Sequence, residues 1–270
     1  MRCVCAMRGI FLSFVFFVAG NLVLPAAEVE VKSGQNPAVT APPQPQQIQS
    51  PSELPQYRPA LLGVGPTALI NRIDTQSLIK GGQKDASVMF SCTVTKTGGI
   101  GEIRTYRGTA GSSLLERELV KRLEGTTFIP AIYNHQPVHV IFFGTVVFSI
   151  PNGKTRLRIF ANQEMEELKK ESDFIGPQPF VGRESKFEGI HYPEDVATAE
   201  ISGLVDMAMK IDADGNLKEL RVVTEEPPLI GFARAASEDF RVAKFIPAFR
   251  DGKVVECSIT LPIYYEPQAR

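Results

Sequence analysis

The tetrapeptide Phe128-Ile129-Pro130-Ala131 recurs as Phe245-Ile246-Pro247-Ala248, 117 positions further on. The same offset pairs Gly98 with Gly215, Glu102 with Glu219, Arg104 with Arg221, Arg117 with Arg234 and Val138 with Val255. One shared tetrapeptide is weak evidence. One register held across successive elements marks an internal duplication. The chain must therefore build one small unit twice.

The second copy is the easier to read. Val205, Met207, Met209 and Ile211 alternate with Asp206, Ala208 and Lys210, the period of a strand with one buried face. Asp214-Gly215 supplies the left-handed backbone of a tight turn, and Leu217–Thr224 returns as a second strand. Pro227-Pro228 ends it. Phe232, Ala236, Phe240 and Ala243 then fall on one face of an amphipathic helix. Phe245 and Pro247 turn the chain, and Asp251-Gly252 makes a further turn. Val255, Cys257, Ile259, Leu261 and Ile263 line the inward face of a last strand.

The first copy follows the same plan. Val88, Phe90, Cys92 and Val94 mark its first strand, and Gly98-Gly99 its turn. Ser113 with Glu116 predicts a capping box opening a helix that carries Leu115, Leu119 and Leu123. Its last strand holds Val138, Val140, Phe142, Val146 and Phe148 on one face, with Ile141, Phe143 and Val147 on the other. A strand apolar on both faces expects a cover on each, from the other copy or from a helix. Thr155–Phe160 alternates behind the turn Pro151-Asn152-Gly153, which predicts an added strand along this copy's edge. A charged helix over about Asn162 to Ser172 leads into the second copy. The last strand of that copy has no such added strand, so it is expected to present a free edge.

Arg2 and Arg8 precede the apolar run Ile10–Ala19, and Leu22–Ala27 ends in small residues. These are the parts of a secretory signal peptide. The run is short against the roughly 20 residues that span a bilayer; the other reading is an uncleaved anchor. Either one exports the remainder. Residues 28–60 are rich in Pro, Gln and Ser and read as an extended tether. The resulting division is 1–27 signal or anchor, 28–60 linker, 61–161 first copy, 162–178 connector and 179–270 second copy.

The net charge of −1 carries no general attraction to nucleic acid. Asp212-x-Asp214-Gly215 opens like a calcium loop, but Val223 stands where such a loop needs Glu. His135, His139 and His191 have no nucleophile beside them in sequence. Cys92 and Cys257 both fall on inward phases of strands; buried thiols are the simple reading, and a bond between them requires two core positions within reach. No cofactor, metal or catalytic group is expected.

The marks Tyr192-Pro193, Gly203, Asp214-Gly215, Phe245-x-Pro247-Ala248, Gly252 and Leu261-Pro262-Ile263-Tyr264-Tyr265 come in an order and spacing that resemble the periplasmic C-terminal domain of the TonB energy-transducer family. The resemblance covers Tyr192 to Tyr265. The first copy is similar more distantly: Thr75-Gln76 stands for Tyr-Pro, Thr97-Gly98 for Asp-Gly and His135 for Gly252. The resemblance implies an α+β fold of two tandem domains, each a small antiparallel sheet with packed helices. It also implies a non-enzymatic protein that captures a partner by strand addition, with the TonB box of an outer-membrane transporter as the partner. The expected contact residues are Val254, Val255, Glu256, Cys257, Ser258, Ile259, Thr260 and Leu261. Tyr264 is a contacting aromatic at their end, and Tyr192 is either a second one or a lid on the core. The standard transducer has an anchor containing His and a longer linker; here all three histidines lie beyond the apolar segment. A structural or self-associating envelope protein, including a homodimer, is the other expectation.

Overall fold

The structure is a computed structural model, and it describes residues 54–170 and 173–267. The expected signal segment or anchor, and the linker up to residue 53, lie outside the described residues. Among the described residues, no helix is long and apolar enough to cross a membrane.

The first half runs β1 (Tyr57–Arg58), α1 (Leu69–Arg72), α2 (Thr75–Lys80), β2 (Ala86–Val94), β3 (Ile100–Tyr106), α3 (Ser113–Leu123), β4 (Ala131–Tyr133) and β5 (Gln136–Ser149). A connector follows with β6 (Arg156–Phe160), α4 (Met165–Lys170), β7 (Phe174–Ile175) and β8 (Gln178–Val181). The second half runs β9 (Gly203–Ile211), β10 (Leu217–Glu226), α5 (Phe232–Arg241), β11 (Phe245–Ile246), β12 (Ala248–Arg250), β13 (Lys253–Val255) and β14 (Cys257–Tyr265). The fold is α+β, with antiparallel pairing throughout these sheets.

The 117-residue offset survives in three dimensions. It carries the bounds of β2 onto those of β9 and spreads β5 over β13 and β14. Registers repeat as well. Tyr57 faces Tyr133 as Phe174 faces Arg250, and Leu61 bridges Ile129 as Gln178 faces Ile246. The order β5-β2-β3 in one half matches β14-β9-β10 in the other.

Periodicity explains each core. Val205, Met207, Met209 and Ile211 are buried along β9, and Phe232, Ala236 and Phe240 cover them from α5 at a spacing of four. In the first half Leu115, Leu119 and Leu123 of α3 do the same over Val88, Phe90 and Cys92. The expected capping box does not form. Ser112 is the N-cap residue, and the Glu116 carboxylate accepts the Thr105 hydroxyl at 2.5 Å instead. After Tyr192-Pro193 the chain forms a 3₁₀ stretch, Glu194–Ala199. The connecting helix, Met165–Lys170, begins later than expected, and its expected end lies outside the described residues.

The two halves exchange core residues. Ile141 and Phe143, on the second face of β5, are buried in the core of the second half; Phe180 and Ile246 are buried in that of the first. Each such side chain contributes about 1.5–3 kcal/mol on burial, so separating the halves is costly. The expected boundary between residues 178 and 179 falls inside β8, which pairs with β5 on one side and β11 on the other. Gln178 adds a two-way link. Its side-chain oxygen accepts the Ala60 N–H at 2.7 Å, and its amide donates to the Ala60 carbonyl at 3.1 Å. Arg107 of the first half donates to Asp206 of the second at 2.6 Å.

Candidate functional site

β14 pairs with β9 from Cys257 opposite Ile211 to Tyr265 opposite Gly203, without a register shift. Alternation then sends Ile259, Leu261, Ile263 and Tyr265 into the core. The Thr260 N–H points the other way and donates to a Glu164 carboxylate oxygen at 2.9 Å. Parity therefore turns the backbone groups of Ser258, Thr260, Pro262 and Tyr264 away from β9. Pro262 has no N–H to offer, which suits a position on an outer edge. Among the described residues, no strand pairs with this edge.

The matching edge of the first half is paired at both ends, with residues 141–144 between them left without a strand partner. β8 pairs with His139 and Val140, and β6 pairs with Thr145 to Ser149. Under the 117-residue offset these places correspond to Glu256-Cys257 and to the stretch from Pro262 onward. The faces differ too. Ile141 and Phe143, which dock on the second half, correspond to Ser258 and Thr260. At that offset the second half carries hydroxyls where the first half carries apolar side chains.

The structure distributes the expected contact residues over several environments. Val254 and Val255 lie in β13 and pair with Phe249 and Ala248 of β12. Glu256 is exposed and forms an ion pair with Lys210 at 3.2 Å. Cys257 is half-buried, and burial pushes its thiol up to about 12. Ser258 is exposed and Thr260 half-buried, while Ile259 and Leu261 belong to the core. Beyond them Pro262 is buried, and the Tyr264 ring stacks on Tyr106 of the first half, with centroids 5.5 Å apart. Tyr192 sits edge-on to Phe232 and donates its hydroxyl to the Ile201 carbonyl at 2.5 Å. The accessible stretch of the edge is Glu256 to Thr260.

A groove of about 370 Å³ runs along this stretch, between Val255–Ile259 and a wall made by Glu164, Glu167, Phe174 and Arg250. It opens beside a trough of about 750 Å³ on the outer face of the sheet, where Lys210, Glu219 and Arg221 stand with Ser258 and Thr260. The wall is built. Arg250 forks onto the buried Glu167 carboxylate at 3.0 and 2.9 Å and lies 4.7 Å over the Phe174 ring. Glu164 and Glu167 did not stand out in the sequence. A carboxylate three residues from another on a short charged helix reads as a solvated face, and only tertiary contacts turn both toward the second half.

Other polar groups act within the fold. The Asp212 carboxylate accepts the N–H groups of Asp214 and Asn216 and contacts the Lys218 ammonium at 2.8 Å. Burial acts against ionisation there, but the Lys218 contact and the backbone N–H bonds hold the group well below the usual carboxylate range. Its lone pairs serve the hairpin turn. Glu225 likewise accepts N–H bonds from Leu229, Gly231 and Ala233, fixing the entry to α5. His191 pairs with Asp239 at 2.8 Å. Cys92 and Cys257 are free thiols. Among the described residues, no group of three or more His, Cys, Asp or Glu side chains could hold a metal ion.

A small antiparallel sheet is closed by a helix on one face and, among the described residues, left with an unpaired strand edge beside a groove, the kind of edge to which extended peptides can add. Residues 188–267 match the family model of the Gram-negative bacterial TonB protein C-terminal, and this span encloses Tyr192 to Tyr265. Domains of that family are periplasmic, non-enzymatic modules that bind proteins such as outer-membrane transporters. No curated protein matches the chain.

Proposed function

We propose that the chain is an exported adaptor that captures an extended protein segment by strand addition on the outer edge of β14. The observation that carries this reading is the unpaired edge from Glu256 to Thr260, with its groove, in the half that matches the TonB family. The occupant that fits is a TonB-box segment of an outer-membrane transporter, met in the periplasm, with energised transport as the setting. The first half is then a divergent second copy of the same domain. Its edge is taken at both ends by β6 and β8, and Ile141 and Phe143 between them are buried against the second half, which suits a platform rather than a second receptor.

Self-association loses its motive. The apolar second face of β5 is covered within the chain, because Ile141 and Phe143 are buried against the second half. Ser258 and Thr260 stand in the corresponding places on β14, so a head-to-tail array has no apolar face on which to propagate.

The test is titration of a TonB-box peptide against the whole exported chain, because β8 ties the halves together and a second-half fragment would lose a strand. Binding is expected, and Ser258→Pro should abolish it while leaving the pairing with β9 intact. Equal binding by wild type and Ser258→Pro would place the partner elsewhere.

A further inference from the structure

We infer that the connector at Glu164 is a latch: its carboxylate occupies the outer edge of β14, and an incoming strand must displace it. The inference rests on the strand-addition reading above and adds a gate to the same site. Thr260 is the central outward donor of the edge, with Ser258 on one side and Pro262, which has no N–H, on the other. Glu164 reaches that donor across the groove at 2.9 Å. Its own carbonyl accepts the N–H groups of Glu167 and Leu168, both at 3.0 Å, so it sits at the start of α4. The side chain that could cap this helix is turned to the neighbouring strand instead.

The latch has a second fastening three residues on. Glu167 is buried and takes the guanidinium of Arg250 from β12, which holds α4 as the far wall of the groove. The contrast with the first half sets the strength of this closure. There both ends of the edge are closed by strands, through paired residues of β6 and β8. Here the Thr260 donor is met by one side chain at the start of α4, on which the ion pairs of Lys169 with Glu166 and Lys170 with Glu167 are local. A side-chain acceptor satisfies one backbone donor and protects the edge from adventitious pairing. It offers no ladder, so a strand that brings several acceptors and donors outcompetes it.

Amide hydrogen exchange on the full exported chain tests this directly. The wild-type Thr260 amide should be protected, and Glu164→Ala should speed its exchange about tenfold, the loss of one charge-assisted bond. The amides of Ile259 and Leu261, which face β9, should not change. Glu164→Gln keeps an acceptor oxygen and should retain most of the protection. The TonB-box peptide should bind Glu164→Ala several-fold more tightly than wild type. If Thr260 exchanges equally fast in wild type and Glu164→Ala, no latch exists. If its protection falls but peptide affinity does not rise, Glu164 does not gate the edge. A peptide that binds neither protein, with Thr260 protection still dependent on Glu164, overturns the strand-addition reading and with it the gate, leaving Glu164 as an edge cap.

Discussion

Gly215 lies against the carbonyl oxygen of Phe245 so closely that a Cβ added to it would come within 1.9 Å of that oxygen. Its φ is +80°, and its carbonyl accepts the Phe245 N–H at 2.9 Å. Gly98 stands in the same relation to Phe128, with φ +85°, a Cβ distance of 2.0 Å and a 2.8 Å hydrogen bond. The hairpin turn thus seats the Phe-Ile-Pro-Ala corner in each half. Gly215→Ala should cost about 2–4 kcal/mol, adding a backbone clash to left-handed strain. Gly98→Ala should cost about the same, and urea denaturation of each variant measures both values.

Arg107 and Asp206 join the halves through a partly buried pair at 2.6 Å, and Thr224 gives the same Asp206 oxygen a second donor at 2.8 Å. Arg107→Ala should destabilise the chain by about 1–3 kcal/mol by leaving a buried carboxylate short of a donor. Adding Asp206→Asn should cost less than the sum of the single changes. A double-mutant cycle reads this coupling; simple additivity would mean the pair does not hold the halves.

The Tyr265 hydroxyl is buried with no hydrogen-bond partner, while the ring stacks on Phe232 with centroids 5.0 Å apart. Burial pushes the phenol upward, and Asp239 adds to the shift. Tyr265→Phe keeps the stacking and removes the orphaned group, so stability should rise by about 1 kcal/mol. A fall in melting temperature would show that the hydroxyl has a partner.

Glu225 is held below the usual carboxylate range: burial opposes its ionisation, but the N–H bonds from Ala233, Gly231 and Leu229 outweigh it. A lowered folded-state value means stability that is present above the ordinary carboxylate pKa and lost as pH falls through the folded one. The melting temperature of wild type should therefore exceed that of Glu225→Gln at pH 7. The difference should shrink below about pH 4. A pH series of thermal melts on the two proteins checks the sign.

The Cys257 thiol, raised to about 12 by burial, Glu256 adding to the shift, should be only about 10⁻⁴ thiolate at pH 8. Alkylation of the peptide containing Cys257 should be slow in the native chain and fast in urea, as followed by mass spectrometry. Rapid native labelling would mean that the groove-side strand opens.

Much of this molecule was legible because its signals are local. Two-residue alternation marked β9 and β14, a spacing of four marked α5, and Asp-Gly marked the turns. The shared offset was legible because glycines and corner residues with the same backbone demands recur at it. The capping box failed where Thr105, a residue of the neighbouring strand, took the Glu116 carboxylate. The expected contact stretch divides in the structure. Val254 and Val255 read like the rest of it, and only sheet pairing shows that β12 takes them. Tyr264 looked free by alternation until Tyr106 came to lie on it.

The sequence alone determined the α+β class, the shared 117-residue offset, the inward faces of the strands and the resemblance of the second half to the TonB family, because each depends on residues near one another in the chain or on a fixed offset. The tertiary structure decided which edge stays open, and where. That depends on residues far apart in sequence: β6 and β8 closing β5, Tyr106 covering Tyr264, and Glu164 reaching Thr260. An unpaired N–H leaves no trace in the identity of its residue, so the state of an edge is settled only by what the rest of the chain brings beside it.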